Sequence, residues 1–171
     1  VEAIVQNEIQ NTEDVEKLRE LIKDIRMAML TTLEQDGSLR SRPMATQETE
    51  FDGDLWFFTE AKSPKSKEIQ DHQQVNVTYT DPDNSKFVSV SGKASLVHDP
   101  TKSKELWNPA VEAWFPSGPE DPSIALIKVE VESAEYWDGP SSKIVRAFKM
   151  IKGSITKEEP DWGENKKIDI R

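Results

Sequence analysis

The first residues in this 171-residue chain to suggest chemistry are Ser63 and Lys65. Ser63 stands directly before Pro64 in the run AKSPKSKEI. Serine suits a helix N-cap and proline the first helical position, so the pair predicts a short helix to about Ile69. Lys62, Lys65 and Lys67 crowd the same turn with no acid between them, in a chain of net charge −10. A helix start with free N–H groups, a hydroxyl and lysines together can hold a phosphate. A solvated basic loop is the competing reading, because short motifs often match by chance.

The elements that would position these residues follow from periodicity. Val15, Leu18, Ile22 and Ile25 recur at helical spacing and predict a helix over about 13–25, entered at Asn11 or Thr12. Residues 1–10 show no clear pattern. Met27–Leu33 is apolar, Asp36-Gly37 is a turn, and Leu39–Thr49 reads as the next strand. Asp52-Gly53 turns the chain again, and Leu55–Thr59 (LWFFT) reads as a buried strand. These three strands are expected to form an antiparallel meander. Val75, Val77 and Tyr79 alternate with polar residues, as a half-buried strand should. Phe87–Val97 is another strand, with Gly92 at a bulge or close backbone approach. A second helix is expected from Asp99-Pro100 to about Trp107, continued through Ala113–Phe115, and Pro116–Pro122 reads as an irregular loop. Ile124–Val131 and Ile144–Ile155 read as strands, and 156–171 as a loose charged tail. Six or seven strands with short helices predict a mainly β fold, a small antiparallel barrel with helical insertions. A two-layer α+β sandwich is the alternative. The whole of 1–171 is expected to be one domain.

Composition narrows the function. A pI near 4.8 disfavours nucleic acid or an anionic membrane as the main partner. Cysteine is absent, so disulfides and thiolate metal sites are excluded. His72 and His98 are isolated and read as surface residues. The acidic pairs at Asp52/Asp54, Asp81/Asp83 and Glu120/Asp121 sit in turns without calcium-loop spacing. No apolar run reaches the ~20 residues of a membrane helix. The first ten residues do not resemble a signal peptide, so a cytoplasmic protein is expected.

Three segments occur in a telling order: Arg42-Pro43-Met44-Ala45-Thr46-Gln47, then Phe58-Thr59 with Ser63 and Lys65, then Glu135-Tyr136-Trp137-Asp138-Gly139. Together they resemble the FMN-binding split-barrel superfamily of the pyridoxamine-phosphate oxidases, and most closely its bacterial general stress protein 26 group. The AWFPSGPEDP segment, Ala113–Pro122, adds to the likeness, which runs from about Val15 to about Ile151. The resemblance implies a Greek-key split barrel of six or seven strands that binds FMN between the subunits of a homodimer. It implies that Arg42 reaches the FMN phosphate and that Pro43, Met44, Ala45 and Thr46 run along the isoalloxazine ring. Gln47 stands where the oxidases carry lysine. Phe58 and Thr59 match the ribityl and phosphate contacts. Ser63 and Lys65 match the phosphate turn, with Pro64 in place of an arginine. Trp137 matches a flavin-contacting tryptophan that comes from the second subunit.

Departures from that pattern limit the expected activity. Lys143 and Val145 replace an arginine and histidine that handle substrate in the oxidases, and Ala147 replaces a flavin-contacting arginine. Asp99–Gly118 has no counterpart of the residues that hold the vitamin's phosphate. Pyridoxamine-phosphate oxidase activity is therefore expected to be weak or absent. The leading expectation is a flavin oxidoreductase of the stress-response type, with an unidentified small substrate or NAD(P)H as partner. A non-enzymatic flavin-binding storage or sensor module is the alternative, as is a split barrel holding haem or a deazaflavin. No general acid or base stands out, and Trp107, Trp114 and Phe115 are expected to be structural anchors, with walls of a substrate pocket near the flavin as the alternative.

Overall fold

The computed structural model describes residues 2–47, 49, 51–140 and 163–170. Helix α1 spans Glu2–Ile22, followed by strands β1 (Met27–Leu33), β2 (Leu39–Ala45) and β3 (Asp54–Glu60). Helix α2 (Pro64–Asp71), β4 (Gln74–Asp81) and β5 (Lys86–Val97) come next, then α3 (Pro100–Leu106) and α4 (Pro109–Trp114). Strands β6 (Ile124–Asp138) and β7 (Glu164–Asp169) complete the described elements. The seven strands form one antiparallel sheet in the order β2-β1-β4-β5-β6-β3, with β7 also paired to β6. Its two ends, β2 and β3, approach each other without pairing, so the sheet curls into a barrel left open along one seam. This is the expected split barrel.

Alternation along the strands decides what the barrel encloses. Ala28, Leu30 and Thr32 of β1 point inward, while Met27 and Met29 stand on the outer face. Val75, Val77 and Tyr79 of β4 are buried as their spacing predicts. Leu18, Leu21 and Ile22 of α1, with Ile25 just beyond it, join Leu30, Phe57, Val77, Val90 and Val129 in the main core. Each fully buried side chain of this size contributes about 1.5–3 kcal/mol. A second cluster lies outside the barrel wall, where Phe58 and Leu126 pack on Leu106 and Val111 of the α3–α4 insertion.

Five expectations need correction. The first helix begins at Glu2 and ends at Ile22, so it does not run over 13–25. Residues 2–10 are rich in Glu, Gln, Ala and Ile, and most of these favour helix, so Asn11 and Thr12 do not stop it. The meander stops after β2. Strand β3 crosses to the far edge and pairs with β6, Phe57 opposite Ile127. The Asp52-Gly53 turn starts β3, with Gly53 at φ 112°, but a turn signal does not name the neighbouring strand. Strand β2 ends at Ala45, not Thr49, because the Thr46 N–H and hydroxyl are held by the carbonyls of Arg26 and Ile25. Pro109 opens a helix of its own, with Asn108 as N-cap accepting from the N–H groups of Ala110 and Val111. The tail is not loose throughout: Glu164–Asp169 pairs with β6 and buries Ile168 and Ile170. Lys166 to Asp14 (2.9 Å) and the Tyr136 hydroxyl to Glu164 (2.8 Å) add to that pairing. The expected strand at Ile144–Ile155 lies outside the described residues.

Gly92 has the role expected of it. The β5–β6 register shifts between Ser91 and Gly92, and a side chain there would collide with the Glu130 carbonyl. Among the described residues, no helix is long and apolar enough to cross a membrane.

Candidate functional site at the α2 end of the barrel

Helix α2 forms as its sequence predicts. Ser63 sits in extended backbone, Pro64 takes the first helical position, and the Ser63 hydroxyl accepts from the Ser66 N–H at 3.3 Å. Three buried hydroxyls meet at this start: Thr59 with Ser63 at 3.2 Å, and Ser63 with Ser66 at 2.8 Å. Ser66 also donates to the Glu60 carbonyl, which fixes the cluster to the end of β3. Pro64 has no N–H, and the N–H groups of Ser66 and Lys67 turn back to the Ser63 carbonyl. The N–H of Lys65 is left as the available donor of the first turn.

Arg42 reaches this end of the barrel from β2. It lies opposite Leu30 of β1, so it shares the inward face with Leu30 and Met44. Its Nη2 pairs with Glu68 Oε2 of α2 at 2.7 Å, and its Nη1 donates to the Thr32 hydroxyl at 2.5 Å. Thr32 in turn donates to the same Glu68 oxygen at 2.5 Å. The Arg42 and Glu68 side chains are only 15% and 10% exposed. Burial pushes the Glu68 carboxyl up, but the Thr32 hydrogen bond and the hydrogen bond and charge of Arg42 outweigh it, holding it below the usual range.

Lys65 differs from its neighbours. Lys62 and Lys67 are exposed, whereas Lys65 is half-buried and has no ion-pair partner among the described residues. Burial and the adjacent Arg42 charge depress its ammonium, only partly offset by Glu60 and Glu68. The structure thus gathers Arg42, Thr59, Ser63 and Lys65 at one end of the barrel.

The remaining expected site residues go elsewhere. Pro43 and Ala45 lie on the outer sheet face beside Met29 and Met27, and Met44 is buried in the core. Thr46 anchors the chain to the end of α1. Gln47 accepts from Asn108 at 3.3 Å, which links β2 to the start of α4. The Phe58 ring packs edge-on against Trp107, with centroids 5.5 Å apart, and tilts against Phe115. Trp107 and Phe115 are the anchors expected of them, but Trp114 is exposed.

Trp137 stands on the outer face of β6, opposite Phe87 of β5. Arg42 lies on the inward face of β2, so it and Trp137 are on opposite faces of the sheet. A cleft of about 50 Å³ opens at the seam between Thr46, Gln47, Leu55, Phe57 and Tyr79. Cofactor pockets occupy about 300 Å³ or more, so this cleft does not enclose a flavin within one chain.

Sequence reasoning missed Glu68, Thr32 and Ser66. Ser66 had a local signal, three residues after an N-cap serine. Glu68 and Thr32 had none, because the pairing that makes them matter spans 26 and 10 residues.

A seven-stranded split barrel with a hydroxyl- and cation-lined helix start at one end defines a recognisable class. The chain belongs to the pyridoxamine 5'-phosphate oxidase like family, whose model matches residues 13–161. It is 28% identical to Protein bli-3 of Neurospora crassa over 165 residues, 91% of this chain and 79% of that protein. It is 30% identical to the general stress FMN/FAD binding protein of Xanthomonas citri, with a TM-score of 0.64, covering 80% of this chain and 92% of that one. A general stress protein 26 from Jannaschia sp. CCS1 shares the fold, with a TM-score of 0.75 at 23% identity, over 92% of this chain and 99% of that one.

Proposed function

We propose that the protein is a homodimeric FMN-binding flavoprotein and that the α2 end of its barrel takes the cofactor's phosphate. One observation carries this reading: Lys65 is a half-buried cation with no ion pair among the described residues, beside a second cation and an available helix N–H. Burying an unpaired charge is costly, and a bound anion would remove that cost. Arg42, Lys65, the Lys65 N–H and the Ser63 and Thr59 hydroxyls would hold the phosphate. The 30%-identical Xanthomonas protein, described as FMN/FAD binding, supports a flavin as the rest of the ligand.

The flavin ring would lie outside the barrel, along Pro43, Ala45, Thr46 and Gln47. The outer sheet face supports a second subunit there. Ala45 lies opposite Met27, Thr80 opposite Phe87, and Phe87 opposite Trp137, and Met27, Phe87 and Trp137 are 52%, 40% and 39% exposed. Thr78, Asn76 and Ser89 make the middle of the face polar but uncharged, with Glu135 of β6 the charge that borders it. Charge-poor sheet faces with exposed aromatic and Met residues are typical of interface cores. A partner copy would also supply a tryptophan from this outer face to the flavin.

A bound flavin would supply hydride and electron transfer, and the chain would supply binding and orientation. We infer an oxidoreductase using a reduced nicotinamide donor, without pyridoxamine-phosphate oxidase activity. The test compares FMN with riboflavin by calorimetry, alongside mass by light scattering. FMN bound at least tenfold more tightly, by a dimer, is expected; equal affinities would remove the phosphate site. Anaerobic bleaching of the bound flavin by NADH or NADPH then tests the enzymatic part, and a flavin that stays oxidised would favour a storage or sensor module.

A further inference from the structure

Glu68 is the one buried carboxylate at the α2 end, and the phosphate-site reading does not use it. Its position is odd for such a site, since an anion next to a phosphate pocket repels the ligand. The geometry explains the oddity. A single oxygen, Oε2, takes both the Thr32 hydroxyl and Arg42 Nη2, while Thr32 also receives Arg42 Nη1. The three groups close a ring of hydrogen bonds around two donors of the guanidinium. The other Arg42 donors, Nε among them, have no partner among the described residues.

We propose that Glu68 and Thr32 are positioning residues for Arg42, fixing its guanidinium so that the free donors face the start of α2 while its charge is neutralised. The site then presents Arg42 as a directional hydrogen-bond donor and Lys65 as its uncompensated charge. This division lets two cations share one end of a small barrel. An unneutralised Arg42 would repel Lys65 more strongly in the empty protein, and a freely rotating Arg42 would have to be ordered at each binding event. The ring also ties α2 to β1 and β2, so Lys65 and Ser63 stay in place relative to Arg42.

The proposal rests on the phosphate-site reading, and its test separates the two. Thr32→Val is nearly isosteric and leaves every charge unchanged, so it removes only the positioning. It should weaken FMN about fivefold to about tenfold, the scale of one lost hydrogen bond, and leave riboflavin affinity unchanged. Thr32→Ser keeps the hydroxyl and should restore FMN affinity. Glu68→Gln keeps an acceptor for Arg42 but lifts the neutralisation, so it should tighten FMN severalfold, again without moving riboflavin.

Titrations of both ligands at fixed salt, beside thermal melts of the apo forms, read these effects. If Thr32→Val leaves the FMN-to-riboflavin ratio at its native value, or Glu68→Gln does not raise it, the ring is only a fold clamp and the proposal fails. If Thr32→Val does not fold, Glu68→Gln and Thr32→Ser decide alone. A native protein that binds FMN and riboflavin equally would instead sink the phosphate site itself.

Discussion

The α2 end of the barrel and the outer face of its sheet are both made of residues that a stable core does not need, yet they are built in opposite ways. At the α2 end, Arg42, Glu68, Thr32, Thr59, Ser63 and Ser66 satisfy one another within one chain. Its loose parts are the charge of Lys65 and the Arg42 donors outside the ring. On the outer face, Met27, Met29, Phe87 and Trp137 are exposed, although Phe87 and Trp137 face each other across β5 and β6. On the proposed reading, the first region is a phosphate site that one chain completes, and the second is a face that a partner copy would complete. Polar groups must be satisfied locally when buried, so a chain completes them itself; apolar surface can stay open until a partner covers it.

Breaking the unfinished region should have the largest effect. Phe87→Glu puts a charge in the middle of the aromatic row opposite Trp137. We expect a folded monomer by light scattering. FMN binding should weaken by about 30-fold to about 1,000-fold, since losing an interface anchor costs about 2–4 kcal/mol. A dimer that keeps FMN would show that the outer face is not the interface.

Lys65→Ala tests the finished region at its loose end. It should cost about 1.5–3 kcal/mol of FMN binding, about tenfold to about hundredfold, and leave riboflavin almost unaffected. The apo melting temperature should hold or rise slightly, because burial and Arg42 both disfavour the lysine's charge in the folded state. An apo form that melts far lower would make Lys65 a structural residue. A well-folded variant that binds FMN as the native protein does would favour the solvated-loop reading.

The smallest effect concerns acid. The Glu68 carboxyl is held below its ordinary value of 4.5. A carboxyl lowered by folding stabilises the protein fully above its unfolded value, and that share is lost as pH falls through the folded one. Melts between pH 7 and pH values well below 4.5 should therefore show a loss that Glu68→Gln makes shallower. An identical slope in that variant would mean that other carboxylates carry the acid sensitivity. Phe87→Glu should leave the slope unchanged, which separates the two regions once more.

The sequence by itself determined the local parts. Period-two alternation marked β4, helical spacing marked the buried face of α1, and Ser63-Pro64 marked the start of α2, because each signal is complete within a few residues. The order of Arg42, Ser63, Lys65 and Trp137 was enough to suggest the family. Tertiary structure decided the rest. It sent β3 to the far edge of the sheet, since a turn sets a reversal but not a neighbour. It gave the tail a strand, because Ile168 and Ile170 gain their burial only against β6 and the core. It joined Arg42 to Glu68 and Thr32, and it set Trp137 opposite Phe87 on the outer face. Those are pairings between distant segments, and they appear only when the barrel closes and brings residues dozens of positions apart within a hydrogen bond of each other.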